Sequence, residues 1–456
     1  MRKVFPNFMV VLVLLYSNVV DGQQYKPKLL RFDEDYSNLT DSVVQKKPWL
    51  RTKNISLNQT TTIKVSVGLD YREMYELVKG YDSTGATDGY WLTRIMAHAD
   101  VHFGTRFRTF FQVGRGFIAA RVLPARPVDV DELFFLNAFG EYHFGKQNNN
   151  YLRLGRQELF FGLGRLIAPR EGPNLRSTYD GVRVHNSMGA FTWDAFFSYL
   201  VNNKQGILDN EILGNNQRLW GFYSTKKWRQ FSADLYYLGY YNPTALFSKQ
   251  VTRAKETRHS MGVRWYGKVS NGTGYDAEAV YQFGQFGSNS IDAFMVDAKV
   301  SKDIQLKRSV LKPSAKIGYF SGNRSVNDSK LTTYNSLFPN LLYYQTAIGI
   351  FPSNLINPQV NLGWDYKKLS IVGGVDGYWR ASKQDGLYAP FGTLLLNNTN
   401  ETYLGYQLYT KADYAFTQNL SCTFLVSRYY KSQFIKNNTD GRGIDLLVNI
   451  LLNYKL

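Results

Sequence analysis

The sequence contains one cysteine and, beyond its first two dozen residues, no apolar stretch of the ~20 residues that a membrane-spanning helix needs. The lone Cys422 cannot form a disulfide within the chain, which excludes a small disulfide-stabilised domain. The missing apolar stretches exclude a bundle of transmembrane helices.

Sequence motifs for catalysis are also missing. The five histidines lack the spacing of a metal-binding helix, and no Gly-x-Ser-x-Gly turn or phosphate-binding glycine loop occurs. His98 and Asp100 share a strand face, which leaves open only a hydrolase assembled by spatial convergence. We therefore expect no metal, no cofactor and no enzymatic activity.

The N-terminus has the features of a cleavable secretory signal, namely basic Arg2 and Lys3, an apolar run over residues 8–15, and the small residue Gly22. The next segment is polar and mixed in charge, and we expect it to form a periplasmic N-terminal arm. No linker interrupts the rest of the chain, which predicts a single domain. The signal peptide, the arm and the domain are assigned to residues 1–22, 23–58 and 59–456.

Aromatic residues make up 16% of the chain, and most of the sequence after the arm alternates between apolar and polar residues. In the segment that begins at Trp91, for example, Ile95 and Val101 fall on one face while Arg94 and His98 fall on the other. Apolar strand faces with aromatic residues at both membrane interfaces are typical of outer-membrane barrels. Counting such segments gives roughly eighteen strands. The sequence therefore predicts an all-β fold, a single transmembrane antiparallel β-barrel in the outer membrane of a Gram-negative-type bacterium.

The connections between strands are predicted to include long external loops and one inward-folding loop. A barrel of this size encloses a water-filled lumen. The long polar connection from Asn323 to Tyr344 is the candidate for the inward loop, and it can either narrow the lumen or plug it.

The chain has 54 Lys and Arg against 36 Asp and Glu, which gives a formal net charge of +18. Part of this surplus falls on predicted lumen faces, where arginines favour anions because the low-dielectric wall focuses their field onto the water path. Basic residues also serve solvated loops or bind lipopolysaccharide phosphates at the outer rim, so either role is open for any one of them. The compartment and the strand pattern argue against nucleic-acid binding. The pore-lining candidates on single strands are Arg94, Arg106, Arg108, Arg264 and Arg380.

The densest group of charges lies between residues 151 and 184, where six arginines stand among three acids. The arginines are Arg153, Arg156, Arg165, Arg170, Arg176 and Arg183, and the acids are Glu158, Glu171 and Asp180. Guanidiniums hold carboxylates in bidentate pairs, so the cluster can be a structural lattice or a site for an anionic substrate. Because the arginines outnumber the acids, we predict that the acids neutralise some of them and that the remainder line the pore.

The position of individual arginines in this cluster follows from strand parity. Arg183 is the best lumen candidate because Val182 and Val184 flank it on the apolar face. Arg153 and Arg156 differ in parity and share a face only if the glycine between them forms a bulge. Arg170 and Glu171 stand beside a proline and a glycine, which predicts a turn or an inward loop.

Several strings of residues resemble the alginate export family of outer-membrane proteins. Those of the central cluster are Leu154-Gly155-Arg156-Gln157, Gly164-Arg165-Leu166-Ile167, Arg170-Glu171-Gly172-Pro173-Asn174 and Tyr179-Asp180-Gly181-Val182-Arg183. The others are Leu30-Arg31-Phe32-Asp33-Glu34-Asp35-Tyr36 near the start, and Phe320-Ser321-Gly322 with Tyr334-Asn335-Ser336-Leu337-Phe338-Pro339 later in the chain. The resemblance implies an eighteen-stranded monomeric barrel with an arginine-lined pore that passes an anionic uronate polymer.

The expected function is an outer-membrane channel, similar to a porin, for anionic saccharides or small organic anions. Its expected partners are that solute and the surrounding outer-membrane lipid and lipopolysaccharide, with the protein a monomer. The alternative is a barrel that does not transport, used for binding or adhesion or as an embedded hydrolase. An open pore would favour the channel, and a closed pore would favour the barrel that does not transport.

Overall fold

The structure is a computed structural model in which most of the chain is described. The described residues are 25–57, 63–80, 86–145, 149–211, 216–246, 253–325, 329–344, 349–388, 394–396, 401–438 and 444–456. The predicted signal peptide lies outside them. Among the described residues, no helix is long and apolar enough to span a membrane.

The described residues form eighteen long antiparallel strands in one sheet. In chain order they are β1 (Ile63–Lys79), β2 (Thr87–Phe103), β3 (Phe107–Ala119), β4 (Asp131–Phe144), β5 (Asn150–Gln157), β6 (Tyr179–Met188), β7 (Phe191–Leu200), β8 (Arg218–Lys227), β9 (Phe231–Ala245), β10 (Ala254–Lys268), β11 (Thr273–Phe286), β12 (Asn289–Lys302), β13 (Val310–Phe320), β14 (Leu355–Tyr366), β15 (Leu369–Trp379), β16 (Tyr403–Ala415), β17 (Leu420–Lys431) and β18 (Leu446–Lys455).

Each strand pairs with its neighbours in the sequence, and β1 also pairs with β18. That last pairing runs from Asp70 opposite Lys455 to Lys79 opposite Leu446, so the sheet closes on itself. Closure leaves no strand edge whose peptide groups would be unpaired in lipid, where each such group costs several kcal/mol. The predicted fold, an antiparallel barrel of about eighteen strands, is therefore confirmed.

The two faces of the sheet differ as the alternation predicted. On β2, Trp91 and Ile95 are exposed on the outside of the barrel, whereas Arg94, His98 and Asp100 are buried on the inside. Apolar side chains of the outer face meet lipid, and polar side chains of the inner face meet water or one another. The lumen therefore contains most of the charged groups of the strands.

The strand connections differ in length at the two ends of the barrel. At one end they are short turns, such as residues 104–106 and 189–190. At the other end they are long, and they include residues 158–178 and 321–354. Outer-membrane barrels have short periplasmic turns and longer external loops. We therefore take the short-turn end as the periplasmic end.

Two of the long connections fold into the lumen. In the first inward loop, residues 158–178, Arg165 reaches the inner face of β11 and β12. In the second, described over residues 321–325, 329–344 and 349–354, the backbone oxygen of Asn335 accepts a 2.7 Å hydrogen bond from Gln282 of β11. The prediction that the polar connection before Tyr344 folds inward is confirmed.

Short elements complete the described fold. The 3-10 helices are Arg31–Asp33, Pro48–Thr52 and Leu341–Tyr344, the α-helices are Asp41–Lys46 and Gln433–Asn438, and the short strands are Ile55–Ser56, Ile304–Gln305, Lys330–Leu331, Leu387–Tyr388 and Leu394–Leu396. The first strand of the barrel begins at Ile63, and residues 25–57 form an arm that precedes it.

Candidate functional site

One side of the lumen carries a row of arginines, which we call the arginine wall. Its members are Arg72 of β1, Arg94 of β2, Arg108 of β3, Arg153 of β5 and Arg183 of β6. Each lies on the inner face of its strand and is buried or half-buried. Strand alternation explains their common orientation, since inner positions recur at every second residue of each strand.

The first inward loop meets this wall at Glu171. The carboxylate of Glu171 accepts a 2.6 Å hydrogen bond from Arg94 and lies 3.2 Å from the guanidinium of Arg176 in the same loop. Arg72 donates to the backbone oxygens of Glu171 and Pro173, at 2.6 and 2.7 Å. Three guanidiniums thus hold Glu171, two of them at its carboxylate and one at its backbone oxygen, and its side chain remains 31% exposed.

A second carboxylate of the loop, Glu158, is fully buried behind this group. It lies 2.7 Å from the guanidinium of Arg176, and Asn137 of β4 donates a 2.9 Å hydrogen bond to its other oxygen. Burial raises the pKa of Glu158 to about 7, although Arg176 and Asn137 favour the ionised form. Glu158 is therefore only partly ionised near neutral pH.

The pKa of Glu171 moves in the opposite direction. Burial alone would raise it, but Arg94, Arg176 and Arg72 together outweigh burial and hold the pKa well below its usual range. Three arginines therefore face one full negative charge on Glu171 and a partial one on Glu158. The group keeps a surplus of one to two positive charges, and we call it the constriction cluster.

Farther along the arginine wall, the guanidiniums are paired with carboxylates of neighbouring strands. Arg108 pairs with Asp100 at 2.7 Å and with Glu141 at 3.1 Å. Arg153 pairs with the same Glu141 at 2.6 Å. These arginines retain little net charge, because each has a close acid.

Arg183 resembles these paired arginines rather than the constriction cluster. Its guanidinium pairs with Asp194 of β7 at 2.8 Å, and lies 5.4 Å from the centre of the Phe161 ring. Its inward orientation agrees with the prediction from Val182 and Val184, since Val182 is exposed on the outer face.

The opposite side of the lumen has an excess of acids, and we call it the acidic wall. It consists of Asp234 of β9, Asp276 and Glu278 of β11, and Asp297 of β12. Arg264 of β10 lies 3.2 Å from Asp234 and also pairs with Asp276. Four carboxylates face the two guanidiniums of Arg264 and Arg165, so acids outnumber arginines on this wall.

Arg165 of the first inward loop is the main partner of the acidic wall. It is fully buried and lies 2.8 Å from Asp276, 2.6 Å from Glu278 and 2.8 Å from Asp297. The second inward loop joins this contact, because Tyr343 donates a 2.7 Å hydrogen bond to Asp297. The first inward loop therefore crosses the lumen and is fixed to both walls.

The two inward loops also bond to each other. The backbone N–H of Phe338 donates to the oxygen of Leu166 at 2.8 Å, and the N–H of Ala168 donates to the oxygen of Phe338 at 2.9 Å. Since one loop supports the other, the lumen narrows at a fixed position between the two walls.

Seven of the sequence-predicted arginines lie in the two walls or in the loop between them, and the structure brings them together around the constriction. They are Arg94, Arg108, Arg153, Arg165, Arg176, Arg183 and Arg264. The predicted acids Glu158 and Glu171 also lie there, and each pairs with Arg176.

An eighth, Arg170, also lies in the first inward loop, and the other three predicted arginines lie elsewhere. Arg106 is exposed in the turn between β2 and β3, outside the strand faces. Arg380 follows β15 and is buried, where it donates to the backbone oxygens of Asp385 and Glu401. Arg170 adopts a left-handed backbone conformation in the first inward loop, in agreement with the predicted turn.

Arg156 is buried, and the bulge that would place it on the same face as Arg153 is missing. The pairing of β5 with both neighbours runs through Gly155 without a shift, although this glycine has a φ of +129°. Arg156 therefore keeps the parity of Leu154, which is 67% exposed on the outer face. Asp180 lies directly opposite and accepts two 2.8 Å hydrogen bonds from Arg156, so this predicted acid neutralises its arginine.

Arg72 belongs to the constriction cluster, but the sequence predictions did not include it. The alternation of β1, in which Leu69, Tyr71 and Tyr75 oppose Asp70 and Arg72, carries the signal that would have found it. Within the described ranges, no group of three or more His, Cys, Asp or Glu residues is arranged to hold a metal ion.

Comparison with known proteins gives one family. The sequence profile of the alginate export family matches residues 63–448, well over half of the chain. None of the curated proteins compared with the chain matches it.

Several solved structures share the fold. OccAB1 of Acinetobacter baumannii has a TM-score of 0.56 and 11% sequence identity, over 88% of this chain and 99% of that one. A BenF-like porin from Pseudomonas fluorescens Pf-5 has a TM-score of 0.57 and 9% identity, over 86% and 98%. OccK2 (OpdF) of Pseudomonas aeruginosa, solved in complex with glucuronate, has a TM-score of 0.55 and 11% identity, over 86% and 98%.

Proposed function

The chain belongs to the alginate export family of outer-membrane β-barrels, and we propose that it is an anion-selective channel for uronate-type saccharides or small organic anions. The fold and the family are those of transport barrels. The proposal concerns the charge of the solute and its chemical class.

The observation that carries the proposal is the constriction cluster. Arg72, Arg94 and Arg176 outnumber the acids of the loop, and the partly exposed Glu171 opens their group to the lumen. A surplus of positive charge inside a low-dielectric pore raises the local concentration of anions. The planar guanidinium also matches a carboxylate in geometry.

The acidic wall favours a saccharide over a simple inorganic anion. Carboxylates such as Asp276 accept hydrogen bonds from hydroxyl groups, while the constriction cluster attracts a carboxylate. A sugar acid carries both kinds of group on one ring, so it can contact both walls. The glucuronate in the OccK2 (OpdF) structure supports the same class of solute.

We propose that the protein works as a monomer surrounded by lipid and lipopolysaccharide. The eighteen strands close the barrel without a strand from another copy, and the outer face exposes apolar side chains around it. The lumen is therefore complete within one chain.

Ion selectivity in planar lipid bilayers tests the function. Under a salt gradient, the reversal potential should show preference for chloride over potassium. Liposomes containing the protein should swell faster in glucuronate than in glucose or in lysine. Preference for potassium, or equal swelling in all three solutes, would contradict the proposal. A folded barrel without conductance would favour the binding or adhesion alternative.

A further inference from the structure

The arm that precedes the barrel enters the lumen at its short-turn end. Arg31 is almost fully buried, and its guanidinium pairs with the inward-facing Asp70 of β1 and, at 2.8 Å, with Glu34 of the arm itself. A buried guanidinium in a lumen needs such partners, because an unpaired charge there costs several kcal/mol. Residues 29–34 are therefore held inside the barrel by specific contacts. We call them the arm segment.

Phe32 fills an aromatic site on the arginine wall. Its ring makes edge contacts with Phe110 of β3 and Phe139 of β4, at centroid distances of 5.9 and 5.4 Å. The guanidinium of Arg153 lies 4.3 Å from the centre of the Phe32 ring. Arg108 donates a 2.7 Å hydrogen bond to the backbone oxygen of Phe32. The arm segment thus covers two arginines that would otherwise face the water path.

The arm segment also reaches the constriction cluster. Arg176 donates a 3.1 Å hydrogen bond to the backbone oxygen of Leu29, while its guanidinium pairs with Glu158 and Glu171. The arm segment and the first inward loop therefore lie one after the other along the arginine wall. A solute that follows this wall meets both.

The arm is fastened to the barrel separately from this segment. Ile55–Ser56 pairs with β1 at Val65 and Lys64, and Lys53 donates a 2.6 Å hydrogen bond to the oxygen of Val67. This attachment lies about twenty residues after Phe32, so the segment can leave the lumen while the arm stays bound.

We propose that the arm segment is an internal plug that occludes the arginine-wall side of the lumen at the periplasmic end and opens by withdrawing Phe32 from its aromatic site. The contacts that hold it are guanidinium bonds to carbonyls and acids, together with the two buried apolar side chains of Leu30 and Phe32. Water can replace the polar bonds, which makes withdrawal reversible. The plug acts on any solute, so the proposal does not depend on anion selectivity.

Single-channel recording in potassium chloride tests the plug. Phe32→Ala should increase the mean conductance by about twofold, or lengthen the open periods, because the segment loses its apolar anchor. Lys46→Ala, an exposed position in the helix of the same arm, serves as the matched control and should behave as the unmodified protein. Deletion of residues 25–40 should give the larger conductance permanently. A peptide of those residues, added to the short-turn side, should then restore the block.

Thiol labelling gives a second readout that does not depend on ion flow. In a Cys422→Ser background, Leu30→Cys, a buried position that retains Phe32, should react slowly with a bulky water-soluble maleimide, and adding Arg31→Ala should speed the reaction at least severalfold. Heat-modifiable gel mobility would verify that each barrel is folded. Unchanged conductance in the folded deletion variant, or fast labelling of Leu30→Cys alone, would overturn the plug.

Discussion

The two walls of the lumen are built from the same side chains in opposite proportions. At the constriction cluster, Arg94 and Arg176 pair with the carboxylate of Glu171, and Arg72 donates to its backbone oxygen. At the acidic wall, Arg165 and Arg264 together serve four carboxylates. The comparison teaches that an arginine in a pore need not favour anions, since its effect depends on the number of acids around it.

The same loop supplies both groups. Arg165 and Glu171 are six residues apart, and they bind to opposite walls of the barrel. The first inward loop therefore spans the lumen, and each of its ends carries the charge that the wall it contacts lacks. Its arginine neutralises part of the acidic wall, and its glutamate neutralises part of the constriction cluster. The remaining charges face each other across the lumen and create a transverse field.

Removal of Arg165 is expected to have the largest effect of any single substitution in the lumen. Arg165→Leu would leave Asp297 and Glu278 buried without their main cation, and breaking a buried ion pair in this way costs about 3–5 kcal/mol. The first inward loop should then detach from the acidic wall. Heat-modifiable mobility and urea unfolding in detergent would measure the loss.

Arg165→Lys is the control for this substitution. It retains one positive charge and should recover part of the stability, although it cannot contact three carboxylates as the guanidinium does. If Arg165→Leu were as stable as the unmodified barrel, the acidic wall would not depend on the loop.

Removal of Arg72 is expected to have an intermediate effect, on selectivity rather than stability. Its guanidinium bonds to backbone oxygens and to Asn174, so its positive charge belongs to the surplus. Arg72→Ala should lower the anion-to-cation permeability ratio by about twofold, as measured by reversal potential. Arg72→Lys should retain most of the preference.

Arg183→Ala provides the matched comparison within the same wall. Because Asp194 neutralises Arg183, and His185 also lies 2.9 Å from Asp194, its removal should change selectivity less than Arg72→Ala. A larger effect for Arg183→Ala would mean that the paired arginines, and not the constriction cluster, determine selectivity.

Most of what could be predicted from the sequence came from strand parity, which sets the face of the sheet to which each residue points. The alternation around Trp91 predicted the barrel and the inward orientation of Arg94, and it also held for Arg108 and Arg183. Alternation could not predict where each strand ends. Arg106 and Arg108 have the same parity, yet Arg106 lies in a turn. Turn geometry depends on local conformation rather than on alternation.

The partners of the inward loop could not be predicted, because they are distant in sequence. Arg165 and Asp297 are separated by 132 positions, and no periodic pattern relates them. The bulge considered at Gly155 shows a similar limit, since a positive φ at this glycine does not shift the pairing of β5. The sequence therefore located the arginines and the nearby acids Glu158, Glu171 and Asp180, but not the distant acids, such as Asp297, that decide the net charge of the loop's other end.

Titration of Glu158 is expected to have the smallest effect, and it acts on the constriction cluster alone. The pKa of Glu158 is about 7 in the folded protein, against an ordinary value of 4.5. Below about pH 6 the group is protonated, and the three arginines then face only Glu171; above about pH 8 it is ionised and cancels one more charge. Anion selectivity should therefore fall as the pH rises through 7. The folded state binds this proton more tightly than the unfolded state, so the group's contribution to stability also falls, between pH 4.5 and 7.

Glu158→Gln isolates the titration of Glu158 from that of any other group. The amide keeps the shape of the side chain and remains neutral at every pH, so the variant should hold its low-pH selectivity up to pH 8. Every other titratable group is the same in both proteins, so the difference in reversal potential between them, measured from pH 5.5 to 8.5, reports Glu158 alone. If the two curves stayed a constant distance apart over this range, Glu158 would already be fully ionised at pH 5.5, and the surplus charge of the constriction cluster would be one and not two; if they coincided, Glu158 would stay protonated up to pH 8.5.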